Sequence, residues 1–500
     1  MHSPLRFEIP LKRNPSHTEE CPDGHSSRNM LLIDRGKKGM TDMERKSGME
    51  WKDSRVLVVG AGKSGIGAAE MLVKCNAKPV LFDENEKLSV RELADKLQDY
   101  PTVEIRTKEL PEEVKAGIRL AVLSPGVPVD SPFVESLRQA GIPIWGEIEL
   151  AYSKEQGTVA AITGTNGKTT TTTLVGQIMQ NFYGNTFVVG NIGAPYTEAV
   201  LETTPQSHTV AEISSFQLET IIDFHPRVSA ILNITPDHLN RHKTMENYIE
   251  VKERITKNQT KDDVCVLNYD NADTRAFAKR CPAKVVFFSS KERLADGYFL
   301  EGEEIFCAQD GNAKRLMSVQ ETKLVGVCNY ENIMAAMAIT EALGVPMEKI
   351  LHTIREFRAV EHRIEFVATK NGVDYYNDSK GTNPDAAIQG IRAMKKPTVL
   401  IGGGYDKQSE YDEWIEAFDG KVKCLVLIGQ TREKIAACAR AHGFANIVMA
   451  DGLEEAMEIC REKAEPGDAV LLSPACASWG MFPNYEVRGR IFKDLVERMP

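Results

Sequence analysis

Ala160-Ala161-Ile162-Thr163 runs directly into Gly164-Thr165-Asn166-Gly167-Lys168-Thr169-Thr170, and a helix-compatible stretch through Leu174 and Met179 follows. An apolar run, a glycine turn and a helix start, in that order, predict a buried parallel strand that hands over to a helix at its carboxyl end. The glycines let backbone N–H groups converge on phosphate oxygens, and the helix N-terminus adds partial positive charge. Lys168 is placed to neutralise β- and γ-phosphates, and the Thr169 and Thr170 hydroxyls to reach Mg²⁺. The loop is two residues shorter than the general G-x-x-x-x-G-K-[ST] pattern.

The same grammar repeats along the chain. Val56 to Val59, Val80 to Phe82, Leu120 to Leu123, Val228 to Leu232, Val285 to Phe288, Val399 to Ile401, Leu425 to Ile428 and Val470 to Leu472 are short apolar runs separated by amphipathic stretches. Buried parallel strands read this way, which predicts α/β layers. Many runs end in small or polar residues, as at Gly60-Ala61-Gly62, Ser124-Pro125-Gly126, Thr235-Pro236-Asp237, Gly402-Gly403-Gly404 and Ser473-Pro474. Ligands of open α/β sheets bind at the carboxyl ends of strands, so three groups of site loops are expected. Boundaries are placed near 152/153 and 357/358, giving domains over 53–152, 153–357 and 358–500.

A chain of 500 residues has room for about three domains. Its net charge of −10 argues against a nucleic-acid or membrane surface. Ten cysteines are scattered without a C-x-x-C pair, as expected of a reduced cytoplasmic protein. No apolar run approaches the roughly 18 to 20 residues of a membrane span. Residues 1–52 are rich in Pro, Ser, Lys, Arg and Glu and are expected to be a disordered tail, with later natural starts available at Met40, Met43 and Met49.

Gly60-Ala61-Gly62-Lys63-Ser64-Gly65 follows a strand and opens a helix, with Asp83 about 20 residues on. Alone, this turn accepts a diphosphate and leaves open a nicotinamide dinucleotide, an oxidoreductase or a nucleotide-sensing module. Glu212 and the pair Asp237-His238 fall at strand ends near the phosphate loop and suit a cation there. Lys252, in a helical stretch from Thr244 to Gln259, reads by itself as a solvated lysine.

Taken in order, Gly-Thr-Asn-Gly-Lys-Thr-Thr (164–170), Gly-Asn-Ile-Gly (190–193), Glu-Ile-Ser-Ser-Phe-Gln-Leu-Glu (212–219), Asp-His (237–238), His-Arg (362–363), Asn-Asp-Ser-Lys-Gly-Thr-Asn (377–383) and Leu-Ser-Pro-Ala-Cys-Ala-Ser (472–478) closely resemble the Mur ligases of peptidoglycan synthesis. The resemblance spans about residues 53–500 and points to the branch that adds D-glutamate to UDP-N-acetylmuramoyl-L-alanine. It implies a Rossmann-like UDP-binding domain, a central P-loop-type ATPase domain and a C-terminal Rossmann-like domain that brings the amino acid. The first glycine turn would then hold UDP, with Lys63, Ser64, Asp83, Glu84, Ser124, Pro125 and Gly126 around it.

By the same resemblance, Asn191, Ser214 and Gln217 match contacts to the muramoyl substrate. Gly164, Thr165, Asn166, Gly167, Lys168, Thr169, Thr170, Asn332, Arg363 and Asp378 match ATP-binding positions. Thr169, Glu212 and His238 match positions around two Mg²⁺ ions, and Lys252 the lysine that becomes a carbamate and joins them. Lys380, Thr382, Lys407, Ser478 and Tyr485 match the D-glutamate pocket. Lys168, His238 and Lys252 are the expected catalytic groups of a cytoplasmic, monomeric ligase. Tyr485 stands where some members carry Phe, Trp479-Gly480-Met481 varies beside the pocket, and Cys328-Asn329 replaces a frequent His-Asn pair. Another Mur ligase or a folylpolyglutamate synthase would share residues 160–260 and differ at the ends.

Overall fold

A computed structural model describes residues 51–499. Residues 1–50 of the expected 1–52 tail, with the candidate start sites, lie outside the described residues. Three sheets follow one another along the chain. The first contains β1 (Arg55–Val59), β2 (Lys78–Asp83), β3 (Glu104–Thr107), β4 (Leu120–Leu123) and β5 (Ile144–Gly146), in the order β3-β2-β1-β4-β5. All of its pairings are parallel. The order reverses between β1 and β4, which opens a crevice at their carboxyl ends.

The second sheet contains β6 (Thr158–Thr163), β7 (Thr186–Gly190), β8 (His208–Glu212), β9 (Val228–Ile231), β10 (Val264–Asn268) and β11 (Lys284–Ser289). It continues through β12 (Gly297–Glu301), β13 (Glu304–Gln309) and β14 (Asn312–Ser318), in the order β14-β13-β12-β11-β10-β9-β6-β8-β7. The last three strands form an antiparallel meander that the sequence reading did not foresee. β6 sits between β8 and β9, so the loops that follow these three strands emerge side by side.

The third sheet contains β15 (Glu365–Lys370), β16 (Val373–Asn377), β17 (Thr398–Gly402), β18 (Val422–Leu427), β19 (Ile447–Met449) and β20 (Ala469–Leu472), in the order β15-β16-β20-β17-β18-β19. Only β15 runs antiparallel to its neighbour.

The continuous apolar runs follow from this layering. β4, β9, β10, β17 and β20 are buried at every position, because helices cover both faces. Trp51, which the sequence reading left in the tail, is only 3% exposed and packs edge-on against Trp145 at 5.7 Å in the first domain's core. Trp51→Ala is therefore expected to destabilise this domain by about 3–5 kcal/mol, measurable by denaturant unfolding. Among the described residues, no helix is long and apolar enough to cross a membrane.

Candidate active site

The phosphate-type loop leaves β6 and enters the helix Lys168–Tyr183. Gly167 has φ +85°, and a Cβ there would fall 2.3 Å from Asn332 Oδ1, so glycine is required for backbone and space alike. Asn332 is held by Thr171 Oγ1, which donates to its Oδ1 at 3.2 Å. Asn332 Nδ2 in turn donates to Asn329 Oδ1 at 3.3 Å. Asn233 Oδ1 accepts from the Asn166 N–H at 2.8 Å and ties the loop to the segment after β9. Lys168 Nζ curls back to donate to the carbonyls of Gly164 and Thr165, both at 2.8 Å. Burial presses its ammonium below the usual lysine range.

Glu212 closes β8 and is 1% exposed. Its Oε1 accepts from Asn191 Nδ2 at 2.8 Å, while its buried Oε2 has no protein partner. A buried carboxylate oxygen left over in this way, beside hydroxyls and lysines, is what a hard cation needs. Lys252 is likewise buried, at 1% exposure, on the helix Met245–Glu253. Its Nζ donates to Gly164 O at 2.9 Å and lies 4.6 Å from the centre of the Tyr248 ring. Burial, reinforced by Lys168, holds its pKa well below the normal value, so the solvated-lysine reading fails on packing. The predicted helix is shorter than expected, since Arg254–Thr256 continues it as a 3-10 turn.

His238 has a positive φ of 53°. Its imidazole is half exposed, lies 3.6 Å from Asp237 and leans on Phe216. Burial lowers its pKa, and the charges of Lys168, Lys407 and Lys252 add to that effect. The Lys407 contribution places this C-terminal lysine within electrostatic reach of the central domain.

The C-terminal domain reaches the phosphate loop directly. Thr169 Oγ1 accepts from Arg363 Nη2 at 3.2 Å and from Lys380 Nζ at 3.1 Å. Lys380 also lies 5.2 Å from the Tyr485 ring centre, and burial, followed by repulsion from Arg363, lowers its pKa to about 7. Asp378 is buried, accepts from Ser473 Oγ at 2.7 Å and from the Ile364 N–H at 3.3 Å, and is pushed up to about 7 by burial. Thr382 N–H donates to Lys380 O at 2.8 Å, Ser478 is buried after β20, and Lys407 lies 5.8 Å from the exposed Trp479 ring.

At the first domain's crevice, Lys63, Glu84 and Gly126 are exposed while Ser64, Asp83, Ser124 and Pro125 are partly so. A Cβ at Gly65 would fall 1.8 Å from Gly60 O, which fixes glycine where the helix meets the turn. Ser124 Oγ donates to Gly60 O at 3.0 Å, and Asp83 accepts from the Ala61 and Asn85 N–H groups at 2.8 and 2.9 Å. Asp83 therefore braces the glycine turn. Ser214 and Gln217 form a capping box, and Gln217 Nε2 donates to buried Glu147 at 2.8 Å. Burial raises the Glu147 carboxyl to about 7. Arg241 joins this region by donating to Glu219 and, at 2.8 Å, to Val127 O of the first domain.

Three residues here escaped the sequence reading. Asp385 accepts from Thr235 Oγ1 at 2.8 Å and from Asn166 Nδ2, joining the C-terminal domain to two central loops. Its signal was its place just past Asn377–Asn383, in Asn383-Pro384-Asp385. Glu147, directly after β5, carried only the weak mark of a carboxylate at a strand end. Fully buried Arg488 donates to Ser379 Oγ, Ser379 O and Cys476 O, and so holds together the loops that carry Lys380 and Ser478. Nothing in its helical sequence context marked it.

Comparison with known proteins gives the family of the whole described chain. Residues 54–146 match the family description "Mur ligase MurD-like, N-terminal domain", 162–340 match "Mur ligase middle domain", and 362–476 match "Mur ligase, glutamate ligase domain". A UDP-N-acetylmuramoylalanine--D-glutamate ligase of Lachnospira eligens is 57% identical over 451 residues, covering 90% of this chain and 100% of the relative. The same-named protein of Lachnoclostridium phytofermentans is 55% identical, with 90% and 99% covered. The crystal structure of UDP-N-acetylmuramate-alanine ligase from Thermotoga maritima aligns with a TM-score of 0.57 at 18% identity, over 89% of this chain and 99% of that one. MurF ligase from Thermotoga maritima in complex with ADP aligns with a TM-score of 0.54 at 17% identity, over 90% and 97%. These two structures share the fold.

Proposed function

The chain belongs to the Mur ligase family, and from that premise we propose that it joins D-glutamate to the L-alanine carboxylate of UDP-N-acetylmuramoyl-L-alanine at the expense of ATP. The observation that carries this reading is the meeting of Lys168, Lys252, Glu212, Arg363 and Lys380 around one phosphate loop, built from two domains. Such a cluster matches a triphosphate and a developing acyl phosphate in charge and in place.

Lys168, on leaving its own loop carbonyls, would stabilise the transferred phosphoryl group. The Asn332 amide and Arg363 would hold the nucleotide, and Asp378 would keep the Arg363-Ile364 segment in place through its bond from the Ile364 N–H. The first crevice would hold the UDP diphosphate against Lys63, Ser64 and the Ser124–Gly126 turn. Lys380, Thr382, Lys407, Ser478 and Tyr485 would receive D-glutamate, whose amine displaces phosphate from the activated carboxyl carbon. His238 would stabilise the tetrahedral oxyanion formed on that carbon.

The orphaned Glu212 Oε2 fits magnesium; Thr169 and a Lys252 carbamate would add oxygen donors and His238 a nitrogen donor for two ions. Bound there, magnesium would offset charge on the phosphates. We place the enzyme in the cytoplasm as a monomer.

Phosphate release from ATP, measured with the UDP-sugar and a panel of amino acids, tests the assignment. Release that depends on D-glutamate is expected. Release driven instead by L-alanine, meso-diaminopimelate or L-glutamate would move the chain to another branch or to the folylpolyglutamate synthases. Asp385→Ala is expected to lose about 1–3 kcal/mol of interdomain contact, read as a fall of roughly 5- to 150-fold in kcat/KM for ATP with UDP-sugar binding unchanged.

A further inference from the structure

Two helices of the C-terminal domain carry a cluster outside the ligase site. Cys438 lies in the helix Arg432–Ala441 and His442 is its C-cap residue, four positions on, so the two side chains share a face. Asp412 begins the short neighbouring helix Asp412–Glu416. His442 Nε2 lies 2.9 Å from Asp412 Oδ1, and the ligand atoms of Asp412, Cys438 and His442 are within 4.8 Å of one another. On the other side of the ring, His442 Nδ1 lies 3.8 Å from Glu416 Oε1. We propose that Asp412, Cys438 and His442 form a binding site for a zinc-type divalent cation, with Glu416 orienting the imidazole.

The donor set is the first argument. Thiolate and imidazole select zinc-type ions, in contrast to the hydroxyl- and carboxylate-rich ligase site that suits magnesium. Spacing is the second. Bonds of about 2.0 Å to nitrogen or oxygen and 2.3 Å to sulfur put tetrahedral ligand atoms roughly 3.3 to 3.6 Å apart, so small rotations of surface side chains suffice. The third is the ring's second nitrogen. Metal-bound histidines characteristically give their remaining N–H to a carboxylate, and Glu416 Oε1, 3.8 Å from Nδ1, is a side-chain rotation short of that bond. Without an ion, Asp412 pairs with His442 at 2.9 Å and accepts from the Cys438 thiol, whose pKa burial and the Asp412 charge raise; a bound cation would replace both contacts and offset that charge.

Asp412 and His442 are exposed and Cys438 is partly so, which leaves a path for the ion and a fourth position for water. Binding converts the Cys438 thiol to a thiolate and releases its proton to solvent. The ion would pin the two helices to each other, on the side of the domain where Tyr411 touches Cys476 Sγ at 3.1 Å beneath the amino-acid loops.

The test is titration of the full-length protein with Co²⁺ as the probe, followed by displacement with Zn²⁺. A near-ultraviolet thiolate-to-cobalt charge-transfer band that Zn²⁺ removes is expected. Cys438→Ser should abolish the band, and Asp412→Asn and His442→Ala should weaken binding at least about tenfold. Glu416→Gln should weaken it by roughly 10- to 100-fold while leaving the band shape intact, as suits an orienting partner. Magnesium-dependent ligase activity should persist in all four variants, which establishes that they are folded. No band in active protein, or a band that survives Cys438→Ser, overturns the proposal.

Discussion

Lys252→Ala is expected to lose at least about a thousandfold in ligase rate, roughly 4 kcal/mol of transition-state energy. Burial, with Lys168 beside it, holds this primary amine well below its usual pKa and so raises the share of it that is unprotonated. That is the form that attacks carbon dioxide, giving a carbamate and releasing a proton. The carbamate turns a cation next to Lys168 into an anion, reversing a repulsion that the ammonium suffers in place. Millimolar acetate or formate should restore part of the rate in Lys252→Ala by supplying the missing oxygens in the space left behind. Lys252→Arg should be rescued less or not at all, because its permanent charge remains and the space is filled. An Ala variant fully active without added acid would remove the carbamate from the mechanism.

Lys168→Ala is expected to cost about 3 to 5 kcal/mol in kcat, by analogy with other groups that stabilise transferring phosphoryl charge. UDP-sugar binding, measured by calorimetry, should stay within about twofold, a change of roughly 0.4 kcal/mol. The separation follows from architecture: Lys168 bonds its own loop carbonyls, whereas the glycine turn at Gly60–Gly65 is braced by Asp83 and Ser124 in another sheet. More than a tenth of the parent turnover in this variant would overturn the phosphate-loop assignment.

Much of the architecture was legible because buried parallel strands need apolar residues on both faces. Val399 to Ile401 or Val470 to Leu472 can hardly be anything else, and the small residues that end each run marked the loops that became the site. The β12–β14 meander was missed because β14 is mostly polar and exposed, and the short apolar run of β13, Ile305 to Ala308, has no strong strand signal beside it. Its turn was nonetheless written as Asp310-Gly311, both at positive φ, and Asn371-Gly372 marks the β15–β16 hairpin in the same way.

Side-chain roles that depend on distant segments were the harder part. Lys252 looks like any helix lysine until the phosphate loop is laid over it. Asp385 matters because Asn166 and Thr235 meet it, across more than two hundred and about a hundred and fifty residues of chain respectively. Arg488 shows its purpose only where the loops at Ser379 and Cys476 close around it. Where the sequence did identify these site residues' neighbours, it was through ordered motifs, since no single residue type carried enough information.

The single hydroxyl of Thr169, shared by Arg363 and Lys380, means that the two domains meet through like charges. Burial lowers Lys380, Lys168 and Lys252 most; Arg363 adds to this at Lys380 and Lys168, and Lys168 at Lys380 and Lys252, while Glu212 offsets part of it at Lys168 and Lys380. A polyanion bound among these cations would offset that repulsion and draw the junction together. Ions should then set the outline of the protein before any chemistry begins. Inorganic triphosphate should shrink its radius of gyration in solution scattering, and monovalent salt, acting only through a screening length of about 8 Å at physiological strength, should do so more weakly.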